Sequence, residues 1–130
     1  MTTDLHYLAL TTLVTALMWL PYGASMIADQ GLLAVVGNRE QSKPLAPWAE
    51  RAKRAHENAI ASLVVFACLV LLAHVGGVSS PAITTASILY FWMRIAHYVV
   101  YSMGVIFVRT LVWSVAWICQ LTVAWQILSA

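Results

Sequence analysis

Four long apolar stretches, separated by short polar or glycine-rich breaks, set the pattern of the chain. A helix needs roughly 20 apolar residues to cross a hydrocarbon core. The stretches therefore predict four membrane-spanning helices at about 5–28, 48–75, 82–103 and 105–128. The first lies between Asp4 and Asp29, and Pro21 near its last turns predicts a local kink because it lacks a backbone donor. Trp19 and Tyr22 mark its nearby interface. Residues 30–47 form the one substantial loop, rich in turn signals such as Gly37-Asn38, Pro44 and Pro47. Within it Leu32 to Val36 is too short to cross and predicts a surface turn of helix. Gly76-Gly77 with Ser79-Ser80-Pro81, and then Gly104, end the second and third spans. The fold class that follows is all-α: an integral membrane, up-and-down four-helix bundle in a single domain, 1–130.

Composition agrees with this reading. Of the 130 residues, 62% are hydrophobic and 9% charged, whereas an ordinary globular domain carries about 25% charged residues. A net charge of +2 is too small to argue for nucleic acid as a partner. The basic residues Arg39, Lys43, Arg51, Lys53 and Arg54 gather around the long loop, while the 76–81 turn has no charge. The positive-inside rule then places the loop in the cytoplasm and both termini on the opposite side. Cys68 and Cys119 sit in apolar runs without ligand spacing, so they are expected to be buried small hydrophobes, with no metal or disulfide framework. The first span lacks a basic leader and is expected to remain in place.

Polar chemistry concentrates in two segments. Glu50-Arg51-Ala52-Lys53-Arg54-Ala55-His56-Glu57-Asn58 leads without a break into the second apolar run. At about 100° per residue, Arg54, Glu57, Asn58 and Ala61 share one sector of that helix. In the third span Arg94, His97 and Tyr101 follow i, i+3, i+7 spacing and also share a face. An arginine inside a span needs a partner or a polar cavity, and Glu50 or Glu57 is the expected carboxylate. One ion pair does not account for Arg54, Asn58, His97, Tyr101 and Arg109 together, so a polar ligand site is the alternative. His56 falls opposite the stripe and reads as a surface or packing residue; His6 and His74 read as interfacial. The tryptophans Trp92, Trp113, Trp117 and Trp125 read as core or lipid-facing.

These segments resemble the MAPEG family of membrane-associated proteins in eicosanoid and glutathione metabolism, which has bacterial members. The run from Glu50 to Asn58 is similar to the family pattern E-R-x-x-R-A-x-x-N on helix two. Arg94-Ile95-Ala96-His97-Tyr98-Val99-Val100-Tyr101 is similar to R-x-A-H-x-x-x-Y in the prostaglandin E synthase branch, and Arg109-Thr110 takes the place of an Arg-Ser pair. The resemblance, which spans nearly the whole chain, implies a homotrimer binding glutathione between subunits near the cytoplasmic face, in a bacterial inner membrane. Arg51, Arg54, Glu57, Asn58, Arg94, His97 and Tyr101 would contact the tripeptide, and Arg109 with Thr110 would hold and activate its sulfur. A fixed guanidinium favours the thiolate, which is the nucleophile. The implied activity is a glutathione-dependent transferase or peroxidase whose lipophilic acceptor arrives from the bilayer. Three positions depart from the pattern: Glu57 stands where the eukaryotic members carry a basic residue, Ala61 where a carboxylate is usual, and Trp113 where a hydroxylated aromatic is usual. They keep open a non-catalytic lipid-binding or scaffold role, while a transporter using Arg94 and Glu57 is a weaker third reading.

Overall fold

A computed structural model describes residues 1–38 and 43–130. Six helices make up the order: α1 (Thr3–Leu17), α2 (Trp19–Gln30), α3 (Leu32–Val36), α4 (Pro47–Val75), α5 (Pro81–Ser102) and α6 (Ile106–Leu128). No strand occurs among the described residues, so the all-helical expectation holds. The part of the long loop at 39–42, with Arg39, lies outside the described residues.

Local chemistry explains the boundaries. Thr2 caps α1, its hydroxyl accepting from the Leu5 amide at 3.3 Å, and Ser80 does the same for Ile83 at the start of α5 at 3.2 Å. Pro47 and Pro81 open α4 and α5, where a missing N–H costs nothing. Gly104, at φ +80°, turns the chain from α5 into α6. The predicted kink in the first apolar stretch falls at Met18, between α1 and α2. Pro21 cannot donate to the Leu17 carbonyl, and Tyr98 on α5 donates its hydroxyl to the Met18 carbonyl at 2.8 Å.

Three helical stretches are long and apolar enough to cross a membrane: Thr3–Gln30, Pro47–Val75 and Ile106–Leu128. The remaining long helix, α5, has 22 residues, but Arg94, His97 and its hydroxyl side chains lower its hydropathy below theirs. Its neighbours account for that composition, since α5 packs against α1, α4 and α6 at once. Seven α5 residues are buried, among them Arg94 and His97.

The core is a ladder of i, i+3/i+4, i+7 positions: Phe66, Val70 and Ala73 on α4; Ile83, Ala86 and Tyr90 on α5; Ala116, Cys119 and Val123 on α6, with Leu8 from α1. The Phe66 and Tyr90 rings stack at 3.8 Å. Outward faces stay apolar, with Val64, Leu72, Leu111, Ile118 and Trp125 all exposed. That is the surface a lipid solvent selects and water does not. Cys68 belongs to this outer face and Cys119 to the core, so burial holds for only one of the two cysteines. The charged half of α4 has a different partner surface. Ala49, Ala52, Ala55 and Ala59 form a buried small-residue face, which lets neighbouring backbones approach closely. Glu50, Arg54 and Glu57 point away from it.

Candidate functional site

The two polar stripes meet at one residue pair. Arg94 Nη2 donates to Asn58 Oδ1 at 2.7 Å, joining α5 to α4. Asn58, not Glu50 or Glu57, is the partner of the intramembrane arginine. Glu50 instead faces Arg54 at 3.6 Å one turn along its own helix, in an exposed ion pair worth little in stability. Glu57 is exposed too. The physical reason is register: the buried face of α4 is its alanine face, so only Asn58 at the edge of the stripe reaches Arg94.

Arg94 is 2% exposed, and its Nε and Nη1 have no hydrogen-bond partner among the described residues. His97, one turn further along the same face, is likewise buried with Nδ1 unpartnered. Buried polar groups are ordinarily satisfied; among the described residues these three nitrogens, all on one face of α5, have no protein partner.

Two cavities open beside this face. One, of about 180 Å³, is lined by His97, Tyr101, Arg109, Thr110 and Trp113. Within it the Arg109 guanidinium lies over the Tyr101 ring at 4.6 Å, a cation–π contact, and the His97 and Tyr101 rings are 5.5 Å apart. The α5–α6 turn at Gly104 brings Arg109 back against Tyr101. The second cavity, of about 240 Å³, is lined by Asn58, Ala61, Ser62, Arg94, Trp113, Trp117 and Gln120. Trp113 is the wall the two share, and it stacks nearly parallel to Trp117 with centroids 6.2 Å apart.

Arg51 does not reach either cavity. Its Nε donates to the Ser102 carbonyl at 3.0 Å, placing a cation at the C-terminal end of α5, where the helix dipole favours it. Arg54, Glu57 and Arg51 therefore stand apart from the Arg94–Asn58 and His97–Tyr101–Arg109–Thr110 groups in this single chain. His56 packs as expected, its Nδ1 2.7 Å from the Tyr22 hydroxyl of α2.

Sequence reasoning missed Ser62, Tyr90 and Gln120. The Ser62 and Tyr90 hydroxyls lie 2.6 Å apart. Gln120 donates from Nε2 to the Ser62 carbonyl at 2.9 Å and is 3.0 Å from its hydroxyl. The available signal was Gln120 itself, an amide in the middle of an apolar span, where polar groups need partners from other helices.

Apolar outward surfaces around a buried, donor-rich polar centre, on helices long enough to cross a bilayer, define an integral membrane helical protein. The family is shown by comparison: the chain matches the MAPEG family model over residues 5–129, and it belongs to that family. MAPEG proteins are membrane proteins that generally use glutathione as a substrate or cofactor. Comparisons with curated proteins and with solved structures gave no match.

Proposed function

We propose that this protein is a glutathione-dependent membrane transferase or peroxidase acting on lipophilic electrophiles or lipid hydroperoxides. The observation that carries the reading is the convergence of Arg109, Thr110, His97 and Tyr101 from two helices on one cleft. The donor set suits glutathione, because a tripeptide with two carboxylates and a thiol needs cations and hydrogen-bond donors, and among the described residues this cleft has no carboxylate in its wall. Glutathione supplies the nucleophilic sulfur when bound. Arg109 holds a permanent positive charge, already placed by its stacking on Tyr101, and favours an anion next to it. Thr110 adds a hydroxyl beside that charge, and His97 and Tyr101 add a ring nitrogen and a phenol to orient the peptide.

In this reading four-helix subunits assemble as a homotrimer. The cleft is open in a single chain, and an adjacent copy would close it, bringing the exposed Arg54 and Glu57 of one subunit toward the cleft of the next. The site and the long loop then face the cytoplasm of a bacterial cell. Detergent-solubilised protein should show ultraviolet thiolate absorbance on adding glutathione and should turn over a generic electrophile or a hydroperoxide. Arg109→Ala should remove both signals while the oligomer persists. Absence of thiolate and of turnover across several electrophiles and hydroperoxides would overturn the reading.

A second reading, a non-catalytic lipid-binding or scaffold role, is favoured by an apolar groove of about 420 Å³ between α5 and α6, lined by Ala82, Ala86, Leu89, Val115, Ile118 and Cys119 among others. Lipid co-purifying with the protein, without any bound thiol, would select it.

A further inference from the structure

Arg109 sits on the part of α6 that the core does not anchor. The buried residues of α6 are Ala116, Cys119, Gln120 and Val123, so no side chain before Ala116 is buried, and Val105 offers no side-chain cap to the helix start. The turn out of α5 is what aims this first stretch. It closes as a Schellman pair: the Val105 amide donates to the Val100 carbonyl and the Gly104 amide to the Tyr101 carbonyl, both at 3.0 Å, with Gly104 at φ +80°. The Met103 amide takes the Val99 carbonyl, also at 3.0 Å. The last four carbonyls of a helix lack partners inside it, and of these four in α5 only that of Ser102 receives no backbone amide among the described residues. Arg51 supplies the missing donor from Nε at 3.0 Å. Its guanidinium lies so close along Gly104 that a side chain there would start 3.4 Å from Nε and 3.5 Å from Cζ. The neighbouring carboxylate of Glu50 faces Arg54 instead, and Arg51 forms no ion pair among the described residues.

We infer that Arg51 is a positioning residue for Arg109. It completes the cap of α5, the cap fixes where α6 starts, and the start of α6 sets the Arg109 guanidinium over the Tyr101 ring at 4.6 Å. Arg109 lies three residues beyond Ile106, the first residue of α6, so a rotation of the turn moves it directly. Tyr101 lies on the other side of the same turn, next to Ser102, so both halves of the stacked pair depend on it. Arg51 thus acts on the cleft through the backbone, not by the tripeptide contact that the family resemblance implies for it. The inference rests on the glutathione-dependent reading only for what Arg109 does to the thiol, since the Arg109–Tyr101 contact it concerns exists without a ligand.

The test uses the full chain in detergent, with Arg51→Met, Arg51→Lys and Arg109→Gln as variants. Fluorotyrosine labelling, with the Tyr101 signal assigned by its loss in Tyr101→Phe, reports the cation over that ring without any glutathione. Arg51→Met should move the fluorine resonance toward its position in Arg109→Gln. Arg51→Lys keeps a cation for Ser102 but not the flat guanidinium; it should move the resonance part of the way, and it carries the comparison if Arg51→Met does not fold. With glutathione bound, Arg51→Met should lower the ionisation constant of the thiol about fourfold, the change expected when a unit charge withdraws from about 4 to about 5 Å at an effective dielectric constant of about 20. S-methylglutathione, which has no thiol to ionise, should bind the variant and the unmodified protein equally well. Weakened S-methylglutathione binding with the resonance unmoved would make Arg51 a ligand contact and overturn the inference. A lower thermal midpoint with resonance and ionisation constant both unchanged would reduce Arg51 to packing and overturn it as well, as would an unmoved resonance in Arg51→Lys when that variant alone folds. If the resonance moves as expected and the unmodified protein forms no thiolate, the placement of Arg109 by Arg51 stands and the glutathione reading fails. If the unmodified protein forms thiolate and Arg51→Met alters neither readout, the placement fails and the glutathione reading stands.

Discussion

Asn58 and Arg94 allow a prediction whose sign, and not only its size, is set by the geometry. Asn58→Ala removes the one hydrogen-bond partner, among the described residues, of a guanidinium that is 2% exposed. Interhelical hydrogen bonds between side chains in membranes average about 0.6 kcal/mol and reach about 1.7, whereas bonds to charged groups in water-soluble proteins are worth about 1.5–3 kcal/mol. Here the donor is charged, the distance is 2.7 Å, and the alternative for Arg94 is a third unpartnered nitrogen. The upper end of the membrane range applies, so the loss should be about 1.5 kcal/mol. Arg94→Met behaves differently, because it removes the desolvated charge along with the bond. Removing one partner is most damaging when it leaves an uncompensated buried charge; Asn58→Ala leaves one and Arg94→Met does not, so Arg94→Met should cost less despite deleting the larger polar group. In the Arg94→Met background, Asn58→Ala should cost under about 0.5 kcal/mol, giving a coupling energy near 1 kcal/mol in the double-mutant cycle. Reversible unfolding in mixed micelles measures all four proteins. Strictly additive losses, or Arg94→Met as the most damaging change, would refute the argument that Arg94 is an under-compensated charge.

Other consequences are local. Gly104→Ala puts a side chain at φ +80° and 3.4 Å from Arg51 Nε; it should destabilise by about 1–2 kcal/mol, visible as a lower thermal midpoint. Tyr90→Phe keeps the stack on Phe66 but takes from the Ser62 hydroxyl one of its two side-chain partners, leaving Gln120, and should cost about 1 kcal/mol in the same unfolding assay. At Tyr101, replacement by Phe retains the ring under Arg109 and replacement by Leu removes it. Leu should therefore be the less stable of the two by about 0.5–1 kcal/mol, and the weaker in glutathione thiolate absorbance.

The helical class, the apolar stretches and the element ends at Pro47, Pro81 and Gly104 were legible because each is local. Hydropathy over a window, a proline without a donor and a glycine at a turn act within a few residues of themselves. The two polar faces, Asn58 on α4 and Arg94 with His97 and Tyr101 on α5, were legible for the same reason, since helical periodicity alone puts residues on one side. Which partner each would take was not legible. Glu50 and Glu57 are better counter-ions for Arg94 than Asn58 on chemical grounds, yet the alanine face of α4 packs inward and rotates both carboxylates out of reach.

Tertiary structure also decided what spacing cannot express. The Ser62–Tyr90–Gln120 network joins three helices whose register to one another is set by the packing of the Phe66, Tyr90 and Cys119 layers. The division of the polar centre into an Arg109 cleft and an Arg94 cavity depends on where Trp113 falls between them. Residue 61 shows the boundary most clearly. The sequence by itself determined that alanine stands where the family usually carries a carboxylate. Only the fold decided that this alanine shares a cavity with an arginine lacking a counter-charge, because distance between helices, not position along the chain, governs how charges are compensated.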